Sequence, residues 1–392
     1  MSEVICFSPT PSFFGFGALQ RLSDVMVSRG FRRVLIFTDS QIARSGILER
    51  VLRLLRGSVE FELFDEVPAE PRSGDMEGKT GLWETDLHAL LALGGGSSMD
   101  FAKGMSILMT HGGALRDYLG EGLVPGPVIP VVCIPTTSGT GSQNTQTTVF
   151  SFDGVKRGIS SEFIRPVVSI VDPELTMNLP PEVTRNAGYD ALMHACESFV
   201  ARPSSEVPER PILYQGSNPF SRSLAIEAFR SIWASYRRAI SEGGDRDARI
   251  GMSLGSHLAG IAFSHSGLGL VHALASAVGG MIDAPHGMCL AACTDMGLGY
   301  NFQCCEEGLA TLADIMRGEN CAGSGRTTGS DFLTAMRELI RELGFPSRPS
   351  ELGIRKEDAA TLLEKTLIQK RRIATNPRPL DEDLLSHIQA GI

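Results

Sequence analysis

Three apolar runs in the first half of the chain constrain the fold more than any other feature: RRVLIFTDS at 32–40, ALLALGGGSS at 89–98 and VIPVVCIPTTSGTGS at 128–142. Each ends abruptly in small polar residues. A strand with one solvated face alternates apolar and polar side chains, whereas a strand buried on both faces of a parallel sheet does not. Separated by helix-like stretches, these runs predict an α/β sheet whose ligands gather at the carboxyl ends of its strands. After the turn-rich VDPELTMNLPPE at 171–182, amphipathic helical patterns continue to the C-terminus with few strand-like runs. We therefore expect an α/β unit over 1–180 and an all-α unit over 181–392, a division that the chain length also favours. Ala201–Asn218 and Gly318–Gly329 read as loops within the second unit, because Pro, Ser and Gly accumulate there.

Bulk properties remove several functional classes. A formal charge of -9 argues against a general polyanion binder, so nucleic acid is not expected as a partner. The opening MSEVICFSPTPSFFGFG lacks the basic start and continuous apolar core of a signal peptide, and no stretch is apolar for long enough to span a bilayer. The expectation is a cytoplasmic protein without a membrane partner. The eight cysteines are scattered and form no CxxC pair, which predicts reduced thiols rather than a disulfide framework or a zinc ribbon.

The strand ends carry the first chemistry. In GGGSSMDFAKG at 94–104, glycines and serines lie between a strand and a helix, so backbone N–H groups at the helix start can approach a phosphate without side-chain obstruction. Alone, such a turn is equally a tight turn capped by Ser97 or Ser98. PTTSGTGS at 135–142 adds hydroxyls and glycines beside it, and two adjacent loops favour a dinucleotide. The candidate cofactor residues are Gly95, Gly96, Ser97, Asp100, Thr136, Thr137, Thr140, Ser142, Lys156 and Thr176. Asp39, at the third strand end, is placed to accept from a ribose diol and to repel a 2′-phosphate, which favours NAD(H) over NADP(H); the alternative is a turn or cap aspartate. The usual GxGxxG fingerprint is absent, so the sheet is a variant of the dinucleotide fold.

A second constellation points to a metal. GYDALMHACESF at 188–199 is built of helix formers, and its four-residue spacing puts Asp190 and His194 on one face. GLVHALASAVGGMIDAPHG at 269–287 adds His272 in an apolar segment and His286 in a Pro-His-Gly loop. Any one of these reads equally well as a surface or core histidine, and His88, His111, His257 and His387 keep that reading. Together, one carboxylate and three imidazoles suit Fe(II), Zn(II) or Mn(II), and a site without thiolate leaves an open position for substrate.

At this point the chain resembles the iron-containing (group III) alcohol dehydrogenases over nearly its whole length. The resemblance rests on GGGSSMDFAK, PTTSGTGS, VDPELT, the DALMH segment, GLVHALAS, the PHG segment and TNPRPL at 375–380. It implies a dinucleotide-binding domain, a helical metal-binding domain with a cleft between them, as in dehydroquinate synthase-like proteins, and frequent dimerisation. It also implies that Asp190, His194, His272 and His286 hold the metal, and that Gly95, Gly96, Ser97, Thr137 and Thr140 contact the cofactor. The departures are specific. Ser276 stands where relatives commonly carry a second histidine assigned to proton transfer, leaving water, Ser276 or His265 as the proton's route. Glu70-Pro71 replaces Asn-Pro, Gln143 replaces an acidic residue, and Arg222 replaces an aspartate.

Before TNPRP the chain reads QKRRIA, where relatives have an acidic or small-residue stretch. Lys370, Arg372 and Arg222 are therefore candidates for holding an anionic substrate, since Arg grips a carboxylate or phosphonate bidentately. A solvated basic helix end is the competing reading. The pattern is similar to that of phosphonoacetaldehyde reductases, which form 2-hydroxyethylphosphonate; succinic semialdehyde or a plain short-chain aldehyde are the alternatives. Two other classes share parts of this pattern: a dehydroquinate synthase-like lyase that retains its NAD, and a non-catalytic NAD or metal sensor.

Overall fold

The computed structural model of the protein describes residues 4–83, 86–152, 155–208, 213–318 and 327–392. Its strands are β1 (Ser12–Phe14), β2 (Arg33–Phe37), β3 (Glu60–Phe64), β4 (Ala89–Gly94), β5 (Gly120–Glu121), β6 (Val131–Pro135), β7 (Thr147–Phe152), β8 (Val155–Ser160) and β9 (Val168–Val171). Six of them form a wholly parallel sheet in the order β1-β9-β6-β4-β2-β3. The three apolar runs are its centre. Helices α1 (Leu22–Ser28), α2 (Ser40–Arg44), α3 (Ile47–Leu55) and α4 (Gly96–His111) complete this part. Val34, Ile36, Leu91 and Leu93 pack with α1 and α3 in one core, while Leu35, Phe37, Leu90 and Ala92 pack with α4 in another. Burial on both faces is why the runs do not alternate.

The strand order places the ligand site. β3 and β4 lie on opposite sides of β2, so the loops after β2 and β4 diverge and open a crevice at the carboxyl edge. A smaller sheet, β5-β8-β7, was not part of the sequence-based expectation. Its core is the antiparallel pair β7–β8, running from Thr147 opposite Ser160 to Phe152 opposite Val155. The sequence signal was the Asp153-Gly154 dipeptide between two β-rich runs, two residues that lie outside those described.

The helical part contains α5 (Pro181–Val200), α6 (Pro219–Ser241), α7 (Arg246–Ser266), α8 (Leu270–Gly279), α9 (His286–Arg317), α10 (Gly329–Glu342), α11 (Ala359–Leu367), α12 (Lys370–Ala374) and α13 (Asp383–Gly391). Its core is continuous from α5 through α11 and takes in α13. The loop expected over Ala201–Asn218 contains a short 3-10 turn at Ser204–Glu206, with 209–212 outside the described residues. In the other expected loop, Gly318 caps α9 with φ +77° and Gly329 opens α10; 319–326 lie outside the described residues. Among the described residues, no single helix is long and apolar enough to cross a membrane, and every cysteine is a free thiol.

Helix α5 is central and packs against α6, α7 and α9. Pro181 at its first turn fits there because that position lacks an intrahelical N–H bond. Gly188 lets the neighbours close in: a Cβ there would meet Tyr236 Cδ2 at 2.6 Å and Met252 Cε at 2.8 Å. Gly188→Ala should therefore destabilise the protein by roughly 1–3 kcal/mol through overpacking. A chemical-denaturation midpoint unchanged from wild type would contradict this close packing.

Candidate active site

The α5 face built by the Asp190–His194 spacing points into a pocket that reaches the glycine-rich loops of the sheet. Asp190 Oδ1 lies 3.5 Å from His194 Nε2, 3.4 Å from His272 Nε2 and 3.7 Å from His286 Nε2. Three elements converge here: α5, the first turn of α8 for His272, and the first residue of α9 for His286. Asp190, His272 and His286 each offer one ligand atom within 4.8 Å of the others. His194 stacks on His272 with ring centroids 4.5 Å apart and on Phe263 at 4.3 Å.

These groups fit a divalent metal on their own chemistry. Asp190 Oδ1 and His272 Nε2 are buried without a hydrogen-bond partner among the described residues, a costly state unless a cation satisfies both. Burial pushes His194 down to about 4 and His286 down to about 3, so both imidazoles are neutral and present lone pairs near pH 7. Burial works against the charge of Asp190, but the surrounding imidazoles hold it below the ordinary carboxylate range.

Glu197 was not among the residues singled out from sequence. It follows Asp190 by seven residues on the same helix face, and that spacing is the signal that could have found it. Its Oε2 accepts from His272 Nδ1 at 2.5 Å and from the His272 N–H at 3.2 Å, while Oε1 accepts from the Val271 N–H at 2.8 Å. One carboxylate thus caps the start of α8 and fixes the tautomer that turns Nε2 toward Asp190. The TNPRP segment supports the same turn. Asn376 Oδ1 accepts from the Leu270 N–H at 2.8 Å, and Thr375 Oγ1 donates to the Leu268 carbonyl at 2.6 Å. A Cβ on Gly269 would meet Asn376 Oδ1 at 2.8 Å and Glu197 Oε1 at 3.0 Å.

On the sheet side, α4 begins at Gly96 with its first N–H groups facing the cleft that Gly96, Ser97, Asp100, Thr140 and Ser142 line. Thr137 packs on Gly95, and a Cβ on Gly96 would meet Thr140 Cγ2 at 2.7 Å, so the two loops close on each other through glycine. Ser97 Oγ donates to the Ala69 carbonyl at 2.5 Å. Asp100 accepts from Ser142 Oγ at 2.7 Å and from the Val149 N–H at 3.0 Å; burial raises its pKa. Beneath it the buried Lys103 donates to the Ser142 and Thr147 carbonyls at 2.7 and 2.9 Å, fastening the second loop to α4. Asp39 caps α2 through the Gln41 and Ile42 N–H groups, and its other oxygen stands beside Gly94. Lys156 lines the cleft paired to Glu70 at 2.7 Å.

Several expected residues are placed elsewhere. Thr176 is buried with its hydroxyl on the Pro173 carbonyl, and Thr136 is buried on β6's exit with its N–H on the Gly94 carbonyl; neither lines the cleft. His265 does not line the cleft. Its Nε2 accepts from the Ser8 N–H at 3.1 Å, its Nδ1 bonds the Ile261 carbonyl at 2.7 Å, and its ring stacks on Phe7. Arg222 lies over the Phe199 ring at 4.2 Å and donates to the Phe199 carbonyl, outside the cleft. Lys370 is exposed and faces a separate cavity. A short helix such as α12 can send only part of its basic run inward. Arg371 and Arg372 take that place, beside Tyr214 and Ser276. His88, His111, His257 and His387 each have a hydrogen-bond partner away from the cleft.

Comparison with known proteins agrees with this geometry. Residues 9–173 match the iron-containing alcohol dehydrogenase family model, and residues 184–390 match the C-terminal model of the Fe-containing alcohol dehydrogenase family. The chain belongs to the iron-containing alcohol dehydrogenase family. It is 32% identical over 377 residues to the NAD-dependent methanol dehydrogenase of Bacillus methanolicus, covering 95% of each chain. It is 30% identical over 384 residues to the sulfoacetaldehyde reductase of Bilophila wadsworthia, covering 96% of each. An alcohol dehydrogenase structure from Oenococcus oeni superposes with a TM-score of 0.90 at 29% identity, covering 99% of this chain and 100% of that one. The dehydrogenase class thus prevails over the lyase and sensor alternatives.

Replacing Glu197 by Gln should weaken divalent-metal binding by roughly 10- to 100-fold, since removing a hydrogen-bond partner behind a ligand has that effect. Titration of the metal-stripped protein with Zn(II) measures it, and wild-type affinity in the variant would show that Glu197 does not position His272.

Proposed function

We propose that the protein is a metal-dependent, NADH-linked reductase of a small anionic aldehyde, with phosphonoacetaldehyde as its preferred substrate. The observation that carries this reading is a pair of guanidiniums beside the metal ligands. Arg371 and Arg372 line the cleft with Asp190, His194 and His272, and among the described residues neither has a carboxylate within 4.0 Å. Half-buried cations that touch no carboxylate are incompletely neutralised, and a substrate anion pairs with them on binding. Burial brings Arg372 down to about 10, which leaves it charged near pH 7. Arg372 Nε is buried without a hydrogen-bond partner among the described residues. A phosphonate, like a phosphate monoester, approaches two negative charges near neutrality and matches two guanidiniums better than a carboxylate does. A relative named for reducing sulfoacetaldehyde, another small anionic aldehyde, supports the same class.

When bound at Asp190, His194, His272 and His286, a divalent ion supplies a Lewis acid for the carbonyl oxygen, and NADH at the α4 loop supplies the hydride. The chain's own residues do the rest. Arg371 and Arg372 hold the anionic end and so fix which end of the substrate faces the metal ligands. Arg371 is itself held by Ser160 Oγ at 2.6 Å and Thr147 Oγ1 at 3.1 Å. Phe263 and Leu268 form an apolar wall that excludes water. Ser276 Oγ accepts from Arg372 Nη1 at 2.5 Å, which leaves its own hydrogen to donate. With both nitrogens of His265 engaged elsewhere, Ser276 or water carries the proton.

An NADH-oxidation screen over phosphonoacetaldehyde, succinic semialdehyde and propanal, with metal analysis of the same sample, tests the reading. The anionic aldehydes should show the higher kcat/KM; parity with propanal would remove the anionic assignment. Arg372→Met should raise KM for phosphonoacetaldehyde roughly ten- to a hundredfold, the value of one charge-assisted hydrogen bond, with little change for propanal. Equal effects on both aldehydes would reassign Arg372 to structure. Gly96→Ala should weaken NADH binding in a fluorescence titration while metal content stays at the wild-type level, because the added methyl pushes Thr140 into the loop. Loss of both together would mean that the change acts on folding.

A further inference from the structure

Behind α12 lies a second cavity, of about 580 Å³ against about 240 Å³ for the catalytic cleft. Its walls come from β5, β8 and the 368–372 segment. Arg371 and Arg372 line both spaces. Arg157 and Lys370 line only the second one, and both are exposed. Four cations therefore face a single carboxylate, Glu121, and among the described residues no cation of the four has an ion pair within 4.0 Å. The side chains of Arg157 and Lys370 make no hydrogen bond with another described residue, so neither is engaged in holding the fold.

The opposite side of the catalytic cleft is formed by the α4 loop and by Thr140, where a dinucleotide would fill the approach. A small anion is left with the α12 side. We infer that the second cavity is the docking antechamber for the anionic substrate: Arg157 and Lys370 collect its charged end, and Arg371 and Arg372, shared by both spaces, receive it in the cleft. A concave surface of one charge sign focuses field and raises the local concentration of an oppositely charged ligand. Arg371 and Arg372 are the two residues shared by the linings of both spaces. Arg371 Nη1 reaches Ser160 and Thr147, and Gly158 beside it adds no side chain, its notional Cβ standing 3.7 Å from Arg371 Nη1. The inference rests on the anionic reading given above.

The test is the Arg157→Ala/Lys370→Ala double variant of the metal-loaded enzyme, with phosphonoacetaldehyde and succinic semialdehyde as anionic probes and propanal as the neutral one. At low ionic strength kcat/KM for the anionic aldehydes should fall about tenfold, the lower end of electrostatic steering effects, while propanal is unchanged. Added salt should lower wild-type kcat/KM toward that of the variant, because it screens exposed charges. Inorganic phosphate should inhibit the wild type against phosphonoacetaldehyde more strongly than it inhibits the variant. An unchanged kcat/KM for the anionic aldehydes, or an equal loss on propanal, would overturn the antechamber while leaving the anionic active site standing. A wild-type enzyme that reduces propanal as well as either anionic aldehyde would overturn both.

Discussion

The arrangement on which everything else depends is a buried carboxylate, Asp190, with three imidazoles around it, where among the described residues Asp190 Oδ1 and His272 Nε2 have no hydrogen-bond partner. Such a cluster is unstable in isolation, since desolvated polar atoms without partners cost about as much as several hydrogen bonds contribute. A cation resolves that conflict. The surrounding structure holds the groups in place for it: Glu197 braces His272 from behind, Asn376 and Thr375 clamp the turn that starts α8, and Gly188 lets α5 sit deep between α6 and α7. These supports come from segments far apart in sequence, which is how a helix-borne pair becomes a site.

The sheet contributes the complementary half. Because the strand order reverses about β2, the loops after β2 and β4 part, and the start of α4 faces the helical half across the opening. Buried Lys103 secures the second loop to that helix through backbone carbonyls, so the glycines can be free of side chains without the loops losing their shape. Net charge says little about this cleft. The chain carries -9 overall, yet the α12 side of the cleft presents two guanidiniums without carboxylate partners among the described residues. Global charge governs solubility and long-range encounter, whereas a pocket's preference is set by the few charges that water cannot reach.

Much of this was legible before any coordinates. Continuous apolar runs announced the parallel sheet, and the helical spacing of Asp190 and His194 announced a shared face. Glu197 lay on that same face seven residues on, but a glutamate on a helix is usually solvated, and only its contacts with His272 distinguish it. The basic run Lys370–Arg372 shows the opposite limit. Three consecutive cations look equivalent in sequence, while a helix of five residues turns Arg371 and Arg372 into the cleft and leaves Lys370 outside. Arg222 and His265 lie outside the cleft for a related reason: Arg222 rests on the Phe199 ring, and His265 is held between the Ile261 carbonyl one turn back and the Ser8 N–H, a partner remote in sequence.

By itself, then, the sequence determined the class of fold and the shared helix face of Asp190 and His194, because periodicity is a local property, while His272 and His286 joined them only through the resemblance to a known family. Tertiary structure decided what local properties cannot. It brought Asp190, His272 and His286 from three helices to one point, paired Glu197 with His272, and chose which cations of one short helix face the metal ligands. The reason is physical: ligation and charge selection depend on distances of a few ångströms between atoms, and those distances are fixed only when packing sets the angle at which each helix meets its neighbours.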